Sequence, residues 1–301
     1  TINCSTIHRY TYEEIQRRLG CRRKRRDTSS VEDSSLKIGI IGSDRKEWHI
    51  KRLLHNLGKQ GAEVYLLPIT KMKAAIGVKP RLSVKGYPID DYDAVIVRRV
   101  PGGTAEQVFY RMDTLHRLDE MGVKVFNPAD SIEKAVDKYY TSALLEEAGI
   151  KTPRTIVTEN FSEAMKVFKE LGEDIVVKPL FGSLGMGITR VTSEDLAYRV
   201  FRTLEMTKSV YYLQEYIPHN GEDIRVFVIG DEVVASMKRV SDNWKTNIST
   251  GAKARKHQVS DEIQEICQKA ARKLGLEYTG VDVIVSGDDV YVIELNSKPG
   301  W

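Results

Sequence analysis

No stretch of this sequence holds the roughly 20 consecutive apolar residues that a membrane-crossing helix needs, and its first residues lack the apolar core of a secretory signal. Cysteine is scarce. The three present, Cys4, Cys21 and Cys267, neither pair completely nor fall at a metal-ligand spacing, which excludes a disulfide scaffold and a zinc centre and points to a reduced cytoplasmic setting. The glycines near the first apolar run do not form GxGxxG, so no dinucleotide fingerprint exists, and no glycine-rich run ends in Gly-Lys-Ser/Thr as a P-loop does. Repeats of fixed period are absent, excluding solenoids. No Ser/His or Cys/His arrangement offers a protein nucleophile.

What remains is a globular chain of ordinary make-up. Hydrophobic residues at 41% and charged residues at 29% suit a packed core, and 301 residues suffice for two domains. The net charge of +4 is uneven, because residues 1–35 carry eight Lys/Arg against five Asp/Glu. The run Arg22 to Arg26 is expected to be part of a solvated basic tail, residues 1–35, with nucleic-acid contact the lesser reading. Within it, Thr11 to Leu19 reads as a short helix capped by Thr11 and Glu14.

From Lys37 onward strands and helices alternate: a strand at 37–42, a helix at 46–60, strands at 63–69 and 93–97, a helix at 104–121 and a strand at 123–126. This predicts an α/β domain with a parallel, Rossmann-like sheet over residues 36–127, ended by Asn127-Pro128. The second half, 128–301, reads as α+β. Helices are expected at 138–148, 194–204 and 261–274, strands at 174–178 and 211–215, and hairpins at 224–237 and 280–296.

The last hairpin carries the strongest chemical signal. A three-residue loop, Gly287-Asp288-Asp289, pairs Ser286 with Val290, sets Asp282 opposite Glu294, and leaves Asn296 on that same face. Val281, Val283 and Val285 then oppose Leu295, Ile293 and Tyr291 on the hydrophobic face, whereas a two-residue loop would send the two carboxylates to opposite faces. A carboxylate pair at a sheet end is often only a solvated edge. With Asn296 beside it, the set offers hard oxygen ligands suited to Mg²⁺ or Mn²⁺, whose remaining sites go to water and substrate phosphates. Upstream, Gly182-Ser183-Leu184-Gly185-Met186-Gly187 could bring backbone N–H groups close to phosphates, although glycine-rich turns without ligands are common. Lys178 ends the apolar run Ile175 to Val177, where an ammonium needs an anionic partner; Lys138, at a helix start, is either a phosphate ligand or an ordinary surface lysine.

Taken in order, Asp137-Lys138, Lys178, Gly182 to Gly187, Gln214 to Ile217, Gly221-Glu-Asp-Ile-Arg225, Asp282 and Glu294-Leu-Asn296-Ser-Lys-Pro-Gly300 resemble the ATP-grasp superfamily, and in particular its RimK-type glutamate ligases. The resemblance implies a Rossmann-like pre-ATP-grasp domain followed by an ATP-grasp fold of two subdomains, about 128–213 and 214–301. It implies that Lys138, Lys178 and the loop Gly182, Ser183, Gly185, Met186, Gly187 hold the ATP phosphates. Gln214, Glu215, Tyr216 and Ile217 would form a hinge at the adenine edge, and Asp223 would bind the ribose. Asp282, Glu294 and Asn296 would ligate two Mg²⁺ ions, Arg225 and Arg239 would face the γ-phosphate and an acyl phosphate, and Arg98 and Asn247 would contact substrate.

The ending Ser297-Lys-Pro-Gly-Trp301 is similar to the archaeal branch that adds glutamate to tetrahydromethanopterin or deazaflavin coenzymes, and the resembled proteins continue into a further helical segment beyond it. The implied activity is ADP-forming ligation of L-glutamate to a small carboxylate acceptor, with homo-oligomerisation left open. Two rivals stand beside it: glutamylation of a protein C-terminus or carrier protein, and a non-catalytic nucleotide-binding regulator with a nucleic-acid-binding tail.

Overall fold

The computed structural model describes residues 35–182 and 185–300; the expected helix at 11–19, the basic run 22–26 and Ser183 lie outside them. Two compact units divide the described chain, the first ending at Asp130 and the second running from Ser131 to Pro299. Among the described residues, no helix is long and apolar enough to cross a membrane.

The first unit is built on apolar runs too short for helices. Strands β1 (Lys37–Ile41), β2 (Glu63–Leu67), β6 (Ala94–Val97) and β7 (Lys124–Phe126) form a parallel sheet in the order β2-β1-β6-β7. The intervening helices are α1 (Trp48–Lys59) and α2 (Ala105–Glu120), the latter started by a capping box of Thr104 and Gln107. A small antiparallel sheet of β3 (Met72–Ala74), β4 (Leu82–Val84) and β5 (Tyr87–Pro88) fills what sequence reading left as connection.

In the second unit, helices α3 (Ala129–Val136) and α4 (Lys138–Glu147) precede two antiparallel sheets. One has the order β10-β9-β11-β8, from β8 (Thr155–Thr158), β9 (Ile175–Lys178), β10 (Thr189–Val191) and β11 (Tyr211–Glu215). Its strands alternate, so Ile175, Val177, Tyr211 and Leu213 are buried with Phe168 of α5 (Phe161–Glu170) and Phe201 of α6 (Glu194–Met206). Val176, Lys178, Tyr212 and Gln214 therefore face the other way.

The second sheet runs β14-β13-β12-β15-β16, from β12 (Glu222–Ile229), β13 (Glu232–Val240), β14 (Lys253–Lys256), β15 (Tyr278–Ser286) and β16 (Asp289–Asn296). Ile224, Val226, Val281, Val283, Val292 and Leu295 pack against Ile263, Cys267, Ala271 and Leu274 of α7 (Asp261–Leu274). Each such fully buried aliphatic side chain contributes roughly 1.5–3 kcal/mol, so the parity of these strands is strongly held. It leaves Asp223, Arg225, Asp282 and Ile284 on the opposite face.

The final hairpin corrects the expected register. Its loop is Gly287-Asp288, with Ser286 paired to Asp289, Val285 to Val290 and Ile284 to Tyr291. Asp282 nevertheless lies opposite Glu294, because a β-bulge inserts Ile293 between the pairs Val283–Val292 and Asp282–Glu294. The expectation assumed an unbroken ladder, and a bulge shifts parity by one just as a longer loop would. As a result Ile293 leaves the hydrophobic face, Val292 is fully buried in its place, and Val285 is 44% exposed rather than core.

Candidate active site

The polar faces of the two sheets line one cavity. From the four-stranded sheet come Val176, Lys178, Gln214 and Glu215; from the five-stranded sheet come Asp223, Arg239, Asp282, Ile284, Ile293 and Glu294. Tyr216, Ile217, Trp244, Thr246 and Asn247 complete it from the connecting loops.

Strand register arranges the charges. Arg225 pairs across the ladder with Asp282, Asp282 pairs with Glu294, and two residues along β12 Asp223 pairs with Arg239. Opposite charges therefore sit as direct cross-strand neighbours. Arg225 grips Asp282 with both nitrogens, Nε to Oδ1 at 2.6 Å and a terminal nitrogen to Oδ2 at 2.7 Å. Arg239 reaches the same Oδ2 at 3.0 Å while also holding both oxygens of Asp223. Burial alone would raise Asp282, but the two guanidinium groups overcome it and hold the carboxyl at about 2. Glu294 is different: burial and the neighbouring Asp282 charge push its pKa up, only partly offset by Lys178 and Arg225. Its Oε1 accepts from the Asn296 amide at 3.1 Å.

On the other wall, Lys178 donates to Gln214 Oε1 at 2.5 Å, and the Gln214 amide in turn donates to Thr155 at 2.8 Å and to the Tyr212 hydroxyl at 3.2 Å. A side-chain carbonyl is a weak counter-charge for a buried ammonium. Burial accordingly lowers Lys178 to about 8, with Glu294 opposing the fall. Lys138 is also lowered by burial, and it donates to the carbonyls of Leu180 and Gly182, each at 3.3 Å. That contact ties the helix start to the glycine loop, so Lys138 is not an ordinary surface lysine.

Several expected site residues are engaged with partners within the protein. Both oxygens of Asp223 are engaged, by Arg239 and by the Thr246 hydroxyl at 2.6 Å, so the carboxylate expected at a ribose is already committed to protein partners. Arg225 and Arg239, expected at a phosphate, are bonded to Asp282 and Asp223. In the segment 214–217 the Glu215 and Tyr216 N–H groups donate to Arg154 O and Asp174 O, which leaves Ile217 as the next backbone donor. Gly185 and Gly187 have φ of +71° and +75°; a Cβ on Gly185 would sit 2.5 Å from Asn247 Oδ1, so the loop rests on the Asn247 segment. Met186 is exposed. Arg98 lies in the first unit, buried after β6, its N–H donating to Ile41 O at 2.9 Å.

Sequence reading missed the side-chain role of Gln214, the apolar walls Ile284 and Ile293, and the residues His219, Trp244 and Thr246. Ile293 was hidden by the bulge. The Gln214 signal was available in strand alternation, since Gln214 lies two residues along from Tyr212, the cross-strand partner of Lys178, and on the same face.

Among the described residues, no group of three or more His, Cys, Asp or Glu could hold a metal ion alone. A carboxylate offers about four lone-pair sites, and three on Asp282 are taken by arginine, leaving one on Oδ1. That lone pair, Glu294 Oε2 and Asn296 Oδ1 make a partial oxygen set fitting Mg²⁺ bound jointly with phosphate oxygens.

Two antiparallel sheets closing on a cleft, with Lys178 on one and an arginine–carboxylate row on the other, define an enzyme of the ATP-grasp class. The chain belongs to the RimK-like family within it: residues 135–301 match the RimK-like ATP-grasp domain and residues 36–132 the RimK PreATP-grasp domain. A tetrahydromethanopterin:alpha-L-glutamate ligase of Methanococcus maripaludis is 34% identical over 271 residues, 88% of this chain and 91% of that protein. An alpha-aminoadipate–LysW ligase, LysX, of Sulfolobus acidocaldarius is 31% identical over 260 residues, 84% and 90% respectively. Among solved structures, the ATP-grasp ligase PsnB complexed with a minimal precursor superimposes with a TM-score of 0.71 at 26% identity, covering 89% of this chain and 92% of that one. The chain is therefore an ATP-dependent ligase.

Proposed function

We propose that this ligase adds L-glutamate to a carboxylate on a coenzyme side chain, of tetrahydromethanopterin type, with release of ADP and phosphate. The observation that carries the reaction is the single cleft in which Lys178 and Arg239 meet Asp282 and Glu294. Ammonium and guanidinium groups beside carboxylates suit a triphosphate that arrives with a divalent cation. The relative named above as a tetrahydromethanopterin:alpha-L-glutamate ligase supports the amine and the acceptor.

Lys138 and Lys178 bind the phosphates. The acceptor carboxylate attacks the γ-phosphorus, the bond to the β-phosphate oxygen breaks, and ADP leaves. The glutamate amine then attacks the acyl phosphate, loses a proton, and expels phosphate. Arg225 and Arg239 stabilise charge on the transferring group, each turning from its carboxylate toward phosphate, and the glycine loop excludes water from the intermediate. Asp282, Glu294 and Asn296 would hold one or two Mg²⁺ ions, or Mn²⁺, which would supply Lewis-acid polarisation of the phosphates. Arg98 and Asn247 are assigned to substrate binding.

The test is incubation with ATP, Mg²⁺, L-glutamate and one acceptor at a time, reading phosphate release and a glutamyl mass gain. The coenzyme acceptor is expected to give both, and Glu294→Gln to cut the rate by about a hundredfold or more. Acceptance of a carrier protein with refusal of the coenzyme would transfer the assignment to a macromolecular acceptor. ADP formation independent of every carboxylate would refute the ligase reading.

A further inference from the structure

The turn between β11 and β12 places a histidine in the wall of the cavity. His219 is 8% exposed, and its Nδ1 is buried with no hydrogen-bond partner. Its ring packs 5.6 Å from that of Tyr216. It lines the active-site cavity and also an adjoining one bounded by Asn220, Glu222, Lys238 and Ser286, so it forms part of the wall between them. Asp223 is the other residue shared by both cavities, and its oxygens are taken by Arg239 and Thr246.

A buried imidazole nitrogen without a partner costs about 1–3 kcal/mol, and such groups in native proteins call for an explanation. The wall of the cavity supplies one. Val176, Ile188, Ile284 and Ile293 present an apolar surface suited to a base, while Lys178 and the arginine–carboxylate row suit phosphates. Between an apolar and an anionic portion a nucleotide carries a sugar with two hydroxyls. Burial lowers the pKa of His219 in spite of Asp223, so the ring is neutral and offers one donor and one acceptor.

We propose that His219 binds a ribose hydroxyl of the nucleotide, so that this chain selects ribonucleotides through an imidazole rather than through Asp223. The proposal rests on the cavity being the nucleotide site.

Calorimetric titration of the full chain with Mg²⁺ and ADP, 2′-deoxyADP or 3′-deoxyADP tests it. The unaltered protein is expected to bind ADP about five- to tenfold more tightly than one of the deoxy forms, the value of one hydrogen bond. His219→Phe should remove that preference while leaving the deoxy affinities unchanged, and His219→Asn should restore part of it. Melting curves of both variants verify folding, and His219→Ala takes the place of the phenylalanine variant if that one does not fit. A full preference that survives in His219→Phe or His219→Ala, or no preference in the unaltered protein, overturns the role of His219 alone. Failure of the unaltered protein to bind any of the three nucleotides overturns both this inference and the nucleotide-site reading.

Discussion

At the scale of single residues, the cleft is governed by how burial and charge divide the work. Lys178 illustrates it. The ordinary lysine pKa of 10.5 falls to about 8 because the ammonium is taken out of water before any phosphate is present. A bound phosphate restores the counter-charge and raises the pKa again. Two outcomes follow from the sign. Nucleotide affinity should weaken as pH rises through about 8, and binding near that pH should take up protons, read as a dependence of binding enthalpy on the ionisation heat of the buffer. Lys178→Met should abolish the uptake and weaken binding at all pH. In the ligand-free protein the unfolded lysine holds its proton up to 10.5 while the folded one releases it near 8, so this residue makes stability rise with pH across that window.

At the scale of elements, two glycine positions and one bulge hold the site in register. Gly221 begins the turn into β12 with φ of +72°, and a Cβ there would lie 2.2 Å from the Ser241 carbonyl oxygen, whose own N–H donates to Gly221 O. Backbone cannot yield as a side chain would. Gly221→Ala should therefore cost about 2–3 kcal/mol, read by denaturant unfolding. The bulge makes a subtler claim. Deleting Ile293 should remove the extra residue yet keep Asp282 opposite Glu294, since pairing from Ser286–Asp289 inward would then run unbroken. The shortened protein is expected to fold, and to bind nucleotide about tenfold more weakly for want of one apolar wall. The sequence made most of these elements readable, because α4, α6, α7, β9, β11 and β12 carry unmixed periodicity and caps. It hid the bulge, which leaves no compositional trace. The loop was legible: Gly287-Asp288 repeats the Gly230-Asp231 dipeptide that closes β12 to β13, with positive φ on the glycine in both. The small sheet β3-β4-β5 escaped because strands of two or three residues carry no period.

At the scale of the whole molecule, the second unit keeps its chemistry on faces that its cores leave over. Its two hydrophobic clusters fix strand parity, and parity delivers Lys178, Gln214, Asp223, Asp282 and Glu294 to one cavity. Lys178, Gln214, Asp223, Arg239, Asp282 and Glu294, which a known pattern names, line that cavity together, while their partners were not foreseen: a pattern records which side chains meet the ligand, and only coordinates record what they hold without it. Asp282 is the case with the widest reach. Gripped by two arginines, it makes the empty cleft a nearly self-neutralised row, and an anion that enters alone must compete with that carboxylate for both guanidinium groups. A divalent ion drawn to Asp282 and Glu294 would release them. Metal and nucleotide should consequently be thermodynamically linked, each tightening the other by the same factor. Titrating ATP with and without Mg²⁺, and Mg²⁺ with and without ATP, should return equal ratios once binding of Mg²⁺ to ATP in solution is subtracted, and Asp282→Asn should bring both ratios toward one. The carboxylate would then act as a gate that admits the cation and its phosphates together and turns away phosphate that comes unaccompanied.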